Sequence, residues 1–304
     1  MDVTNEKNLK KKIVTHSGNF HTDEVFACAV LSILHNGDVE IERSREKSVW
    51  ATGDYVVDVG GEYDPTRGRF DHHQEGGAGV RPNGIPYSSF GLVWREYGEK
   101  IAGSVFVSRL IDARLVQPID AGDNAVRTFE AIGDVSPYIL QDVIAAFRPG
   151  WNESRTLDEG FFEAVLFAEK ILLREILKTQ NEEEGKKHAE GAYVNALDKR
   201  IIILEDHYQW YEALNTKPEA LFVVKPDRDN KGKWKIEAIL KDIHQPFIYR
   251  KKLPSAWAGK MGEHLAEISG VADALFCHNK LYVAVAGSKE GALKLAQIAV
   301  DKRL

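Results

Sequence analysis

The sequence predicts an α/β protein of two domains: a parallel-sheet domain in residues 1–190 and a smaller mixed-sheet α/β domain in residues 191–304. Three observations carry this reading. The chain has 304 residues, which at roughly 150 per domain suggests two. In its first half, short and nearly continuous apolar strands alternate with helical periodicity, the pattern of a parallel sheet buried by crossover helices. A charged stretch, Glu169 to Arg200, then separates this half from a second one in which the strand pattern restarts.

The first strand is Lys12 to Thr15, stopped at His16. The loop His16 to His21 leads into a helix that starts at Thr22 or Asp23 and ends at Leu34. Thr22 can cap it, and Val25, Cys28, Ala29 and Ser32 recur near helical spacing. Val39 to Arg43 alternates as a strand, and Tyr55 to Val59 is a nearly all-apolar strand closed by Gly60 and Gly61. Gly76 to Pro86 carries four glycines and two prolines and reads as a loop. Ser88 to Tyr97 is helical, helical character runs on to about Leu115, and Ile119 to Asn124 breaks it. Helices resume at Ser136 to Phe147 and from about Leu157, and Glu169 to Arg200 is a connecting helix with a solvated charged face.

In the second half, Ile201 to Leu204, Leu221 to Lys225 and Trp234 to Leu240 are strands, the last two joined by a hairpin turn over Asp227 to Lys233. Ala274 to Cys277 and Leu281 to Ala286 are joined tightly at His278 to Lys280, before a final amphipathic helix from Lys289 to Lys302.

Composition removes several function classes. Lys and Arg number 40 against 46 Asp and Glu, a net charge of −6, which excludes a strongly basic nucleic-acid coat but leaves room for a local anion site. The longest apolar run, Phe26 to Leu34, falls far short of the ~18 to 20 residues that span a bilayer, so no membrane partner is expected. The polar, mixed-charge start, Met1 to Lys12, has no apolar signal core. Cys28 and Cys277 lie far apart in apolar surroundings, which argues against a disulfide framework or a cysteine zinc site and points to a reducing cytoplasm.

The chemistry concentrates early. Four of the ten histidines, His16, His21, His72 and His73, fall in the first 73 residues, each beside aspartates. His16 ends the first strand, His21 and Asp23 stand where the first helix begins, and Asp58 ends the third strand. Asp71 precedes His72 and His73, and Asp120 sits at a break. In an open parallel sheet the carboxyl ends of the strands converge on one crevice, so these residues can meet. Imidazoles mixed with carboxylates and no thiolate suit manganese, iron, cobalt or zinc. Two ions need a bridging ligand, and Asp58, mid-set on a rigid strand, is the natural one.

These residues resemble a family. His16-Ser17-Gly18-Asn19-Phe20-His21-Thr22-Asp23-Glu24, the segment Asp58 to Pro65, Asp71-His72-His73-Gln74 and the segment Asp120 to Asn124 are similar to the melanocyte proliferating gene one (Myg) family. Trp151-Asn152, Leu253 to Trp257, Ile268 to Val271 and Glu290 to Leu293 extend the resemblance over nearly the whole chain. That family has been described as metal-dependent hydrolases and 3′–5′ RNA exonucleases, and it resembles the DHH phosphoesterase superfamily.

The resemblance implies a DHH-phosphoesterase-like fold and two divalent ions, manganese first, with magnesium, cobalt, iron or zinc as options. It implies His16, His21 and Asp58 on one ion, and Asp23, Asp58, His72 and Asp120 on the other. His21 stands where the wider superfamily has an aspartate, and Ala125 where the Myg family has a glycine. Asp71 would orient an imidazole, and His73 would contact phosphate or protonate the leaving oxygen. Arg69 would act beside them on phosphoryl charge, with Arg67 binding substrate. Arg250, Lys251 and Lys252 form a compact basic cluster expected to hold the substrate strand.

The implied function is a metal-dependent phosphodiester hydrolase, a 3′–5′ exonuclease acting on single-stranded RNA or short oligonucleotides. A small-molecule phosphohydrolase or pyrophosphatase, or a metal-binding regulator without turnover, are the alternatives. The oligomeric state is left open, a homodimer among the options.

Overall fold

The computed structural model describes residues 10–243 and 245–302, so most of the polar start lies outside the described residues. The chain divides into two compact units, one up to Gln180 and one from Asn181.

The first unit contains β1 (Lys11–Thr15), α1 (Thr22–Leu34), β2 (Val39–Arg43), α2 (Lys47–Trp50), β3 (Tyr55–Val57), β4 (Tyr63–Asp64), β5 (Arg69–Phe70), α3 (Ser89–Ala102), α4 (Val105–Ile111), α5 (Gln117–Asp123), α6 (Leu140–Ala145) and the start of α7 (Leu157–Asn195). Its sheet has the order β2-β1-β3-β5-β4. The first four are mutually parallel and β4 pairs antiparallel with β5. Ile13 and Val14 of the central strand are fully buried. They are packed on opposite faces, as strand alternation requires. α1 is buried from Thr22 to Ser32, so it lies between sheet and helices rather than on the surface. Phe26 of α1 meets Phe90 of α3 with ring centroids 5.3 Å apart.

The second unit contains the end of α7, then β6 (Ile201–Ile203), α8 (Tyr211–Asn215), β7 (Phe222–Pro226), β8 (Trp234–Ala238), α9 (Gly262–Ser269), β9 (Ala274–Cys277), β10 (Val283–Ala286) and α10 (Lys289–Asp301). Its sheet, β6-β7-β8-β10-β9, is mixed, with β6 and β7 parallel and the remaining pairs antiparallel. Phe222 and Val224 face a core with Leu295 and Ala296 of α10, while Val223 faces another with Trp210 and Leu214.

Three expectations need correction. Ile119 to Asp123 is not a break: it lies within α5, which continues the helical run through a π-helical turn over Asp112–Val116, and Pro118 fits because it stands in the first turn. Of Ser136 to Phe147 only Leu140–Ala145 is helical. The connecting helix is longer than its charged part, 39 residues from Leu157 to Asn195, because the apolar residues before Glu169 pack on the first core.

Gly68 closes the turn between β4 and β5 at φ 68°, and a Cβ there would overlap the Asp54 carbonyl. Gly68→Ala should therefore lower the stability of the first unit by about 2 kcal/mol. The check is the urea midpoint of unfolding, which should fall without a change in slope.

Candidate metal centre

The loop between β1 and α1 is pinned by three arginines. Arg43 donates to the Gly18 carbonyl at 2.6 Å and pairs with Asp158 at 2.5 Å, its guanidinium 4.5 Å from the Phe161 ring centroid. Arg45 donates to the Ser17 carbonyl at 3.1 Å, and Arg148 donates to the Phe20 carbonyl. Charged donors on carbonyls make strong tethers. They hold His16 and His21 at the two ends of a short irregular segment, where His21 N–H also donates to the Glu24 carboxylate at 2.8 Å.

On this frame the ionisable side chains converge. His16 Nε2 lies 3.0 Å from Glu24 Oε1 and 3.3 Å from Asp58 Oδ2. His72 Nε2 lies 3.3 Å from Asp58 Oδ1, 3.1 Å from Asp123 Oδ2 and 3.9 Å from Asp23 Oδ2. Each Asp58 oxygen thus faces a different imidazole. Asp58 follows β3 at φ 55°, the left-handed region, which Asp tolerates better than most residues. Ser89 Oγ donates to its Oδ1 at 3.0 Å.

Three sets have donor atoms within 4.8 Å of one another: His16, His21, Glu24 and Asp58; Asp58, His72 and His73; and His21, Asp23 and Asp123. Asp58 and His21 each belong to two.

Burial alone would lower the His16 and His72 pKa values. Carboxylate partners prevail, Asp58 and Glu24 for His16 and Asp123 and Asp58 for His72, and raise both to about 10. Burial opposes ionisation of Asp58, but His16 and His72 hold it well below the usual carboxylate range. Asp23 is pushed well up by burial and by the charges of Asp58, Asp123 and Glu24.

Two buried atoms here make no hydrogen bond: Asp23 Oδ1, and His72 Nε2, which has only the ionic contacts with Asp58, Asp123 and Asp23. Orphaned donor atoms among crowded carboxylates fit divalent cations, which would satisfy both the lone pairs and the charge. His16 Nδ1 lies 3.2 Å from the Ser17 carbonyl, the second contact that a metal-bound histidine commonly makes.

Not every expected residue joins. Asp120 is buried, but its oxygens accept from Ser88 Oγ at 2.6 Å, Gly91 N–H at 3.0 Å and Arg81 at 2.6 Å. It is a tether between α3, α5 and the glycine-rich loop. Burial raises its pKa to about 6 against the pull of Arg81 and Ser88. One helical turn on, Asp123 takes the place beside His72, and helical spacing from Asp120 was the signal that could have found it. Glu24 was also missed as a ligand candidate, although it directly follows Asp23.

Asp71 sits beneath His73, with Oδ1 2.7 Å from His73 Nδ1, and accepts from the Gly61, His72 and His73 amides. Arg69 donates to the Gly53 and Arg67 carbonyls and Arg67 pairs with Glu62 at 2.6 Å. Both line a separate surface pocket with Trp50, a correction to their expected roles: Phe70 takes the core side of β5, so Arg69 points the other way. The cavity beside the cluster, about 510 Å³, is lined instead by His21, His72, His73, Asn124, Gln141 and Arg148.

In the second unit Arg250 donates to the carbonyls of Asn215, the last residue of α8, and of Lys217 and Ala220 beyond it, and Lys251 to the Val300 carbonyl at 2.6 Å. The expected three-charge surface is thus largely a pair of helix C-terminal contacts, with Lys252 exposed.

Two predictions separate these roles. Asp123→Asn should weaken manganese binding at least about tenfold and change stability less than Asp120→Asn does, because it takes one charge out of a crowd of carboxylates while also removing a partner of His72. Asp120→Asn should leave metal affinity within a few-fold but destabilise the protein by about 3 kcal/mol, as it breaks the buried pair with Arg81. Metal titration calorimetry and urea unfolding of both variants read the difference.

The same cluster sets a pH dependence. His16 and His72 are raised from 6.5 to about 10, so their contribution to stability is complete below pH 6.5 and is lost as pH climbs toward 10. The raised Asp23 acts in the same direction. The melting temperature of chelator-treated protein should fall over that window, and bound metal should flatten the fall. A flat profile without metal would contradict this.

Comparison with known proteins follows the same residues. A family model described as MYG1_exonuc, uncharacterised protein family UPF0160, matches residues 12–300. The human MYG1 exonuclease is 31% identical, covering 96% of this chain and 86% of its own length. The Bos taurus MYG1 exonuclease is 32% identical over 96% of this chain and 85% of its own. The MYG1 protein of Chlamydia pneumoniae is 30% identical over 97% of this chain and 98% of its own. Among solved structures, an exopolyphosphatase-related protein from Bacteroides fragilis aligns over 96% of this chain and 92% of its own at 12% identity, with a TM-score of 0.23, too low to show a shared fold. With a family model matched over nearly its whole length and relatives at about 30% identity aligned over 96% or more of it, the chain belongs to the MYG1 exonuclease family.

Proposed function

We propose that the protein is a metal-dependent phosphodiester hydrolase that uses two divalent ions, manganese first, to trim RNA or short oligonucleotides from the 3′ end. The observation that carries this reading is Asp58, whose two oxygens face His16 and His72 separately, as a bridging carboxylate would. The exonuclease names of the human and bovine relatives support the substrate class.

His16, His21, Asp58 and Glu24 would hold one ion, and Asp58, His72, Asp23 and Asp123 the other. Divalent ions held there would supply a lowered water pKa and neutralisation of charge on a phosphoryl group. The remaining work falls to side chains of the cavity. His73 has its Nδ1 2.7 Å from Asp71 Oδ1, which raises its pKa and favours the protonated ring that would give a proton to the leaving oxygen. Asp71 is a positioning residue: it fixes the His73 ring while its other oxygen accepts from Gly61 N–H. Arg148 and Gln141 line the cavity and would contact the phosphate and the sugar.

Asp58→Asn should abolish hydrolysis of end-labelled RNA while the circular dichroism spectrum is kept, and His73→Gln should lower kcat roughly a hundredfold with little change in KM. Release of mononucleotides from the 3′ end, lost with chelator and restored with manganese, is the expected result. Activity of Asp58→Asn within about tenfold of the parent would contradict the bridging role, and hydrolysis of pyrophosphate but not of RNA would move the substrate to phosphoanhydrides.

A further inference from the structure

The cavity beside the metal-candidate side chains does not end with them. It shares Ile119, Gly122 and Gln141 with a second cavity of about 560 Å³. Leu115, Ile119 and Leu140 give the second cavity apolar walls. The segment 125–139 supplies most of the rest, and it leaves α5 directly behind Asp123. Ala125 turns the chain at φ 55°, and Val126 N–H returns to the Ala121 carbonyl at 2.7 Å. One turn of backbone therefore fixes both a candidate metal ligand and the cavity wall.

The lining also has a recognisable chemistry. Phe129 contributes a large ring that is 39% exposed, Arg127 a cation, and Thr128 and Ser136 hydroxyls. Apolar walls, an accessible aromatic ring and a few polar groups suit a heteroaromatic base, and a phosphate or pyrophosphate group alone would leave such a space unfilled. We propose that this second cavity is a nucleobase pocket, receiving the base of the nucleotide whose phosphate lies at the metal centre. The proposal rests on the phosphodiesterase reading and names its selectivity: the enzyme grips a nucleotide by its base as well as by its phosphate.

Calorimetric titration of the manganese-loaded protein with AMP and with ribose 5-phosphate isolates the base. AMP should bind roughly tenfold tighter. Phe129→Ala, which removes the ring, and Ala131→Trp, which fills the space, should each erase that preference and leave ribose 5-phosphate unchanged. Equal affinities in the parent, or an AMP preference that survives both substitutions, would overturn the pocket. Turnover of bis(p-nitrophenyl) phosphate reads the hydrolase assignment separately. AMP preference without turnover supports the pocket and defeats the hydrolase reading, whereas turnover without preference does the reverse.

Discussion

Four carboxylates, Asp23, Glu24, Asp58 and Asp123, crowd around His16, His21, His72 and His73, and Asp23, Glu24, Asp58 and His16 are buried. Buried charge is tolerated only when it is paired or coordinated, so this cluster constrains everything around it. Asp58 resolves part of the conflict by presenting one oxygen to each of two imidazoles. To do so it leaves the strand in a left-handed conformation, a local strain held by the Phe70 carbonyl, which accepts its N–H at 3.1 Å. The remaining imbalance, with Asp23 pushed toward its neutral form by burial and neighbouring carboxylates, is one that a bound cation would relieve.

The frame is rigid where the ligands are irregular. His16 and His21 sit on a loop, yet Arg43, Arg45 and Arg148 bind three of its carbonyls. On the opposite side, the buried Arg81–Asp120 pair joins the glycine-rich loop to α5, and Arg81 also reaches Asp112 at 2.9 Å. Gly91 makes this possible, since a Cβ there would overlap the Asp120 carboxylate. Arg43, Arg45, Arg81 and, in the second unit, Arg250 serve as structural cations. This explains why clusters of basic residues in the sequence were poor guides to a phosphate-binding surface.

Much of the site was legible in the chain itself. Histidines and aspartates placed at strand ends and at a helix start meet whenever strands run parallel, and His16, His21, Asp23, Asp58, His72 and His73 do meet. The strands β1, β2 and β3, the helix α1 and the mixed second sheet follow from apolar runs and turn residues whose periodicity is local. Asp71 under His73 follows from their adjacency.

What the sequence by itself determined is the identity of the reactive groups and the elements that carry them, because residue type and local period are properties of neighbouring positions. Tertiary structure decided which carboxylate faces which imidazole. Asp120 and Asp123 are chemically identical and three residues apart, and only the packing of α5 on α3 turns one toward Arg81 and the other toward His72. The same holds for Arg69, whose side of the sheet depends on Phe70 entering the core, and for Arg250, which is claimed by carbonyls some thirty positions away. Direction in space and competition between distant partners are set by the folded chain as a whole, and no local pattern encodes them.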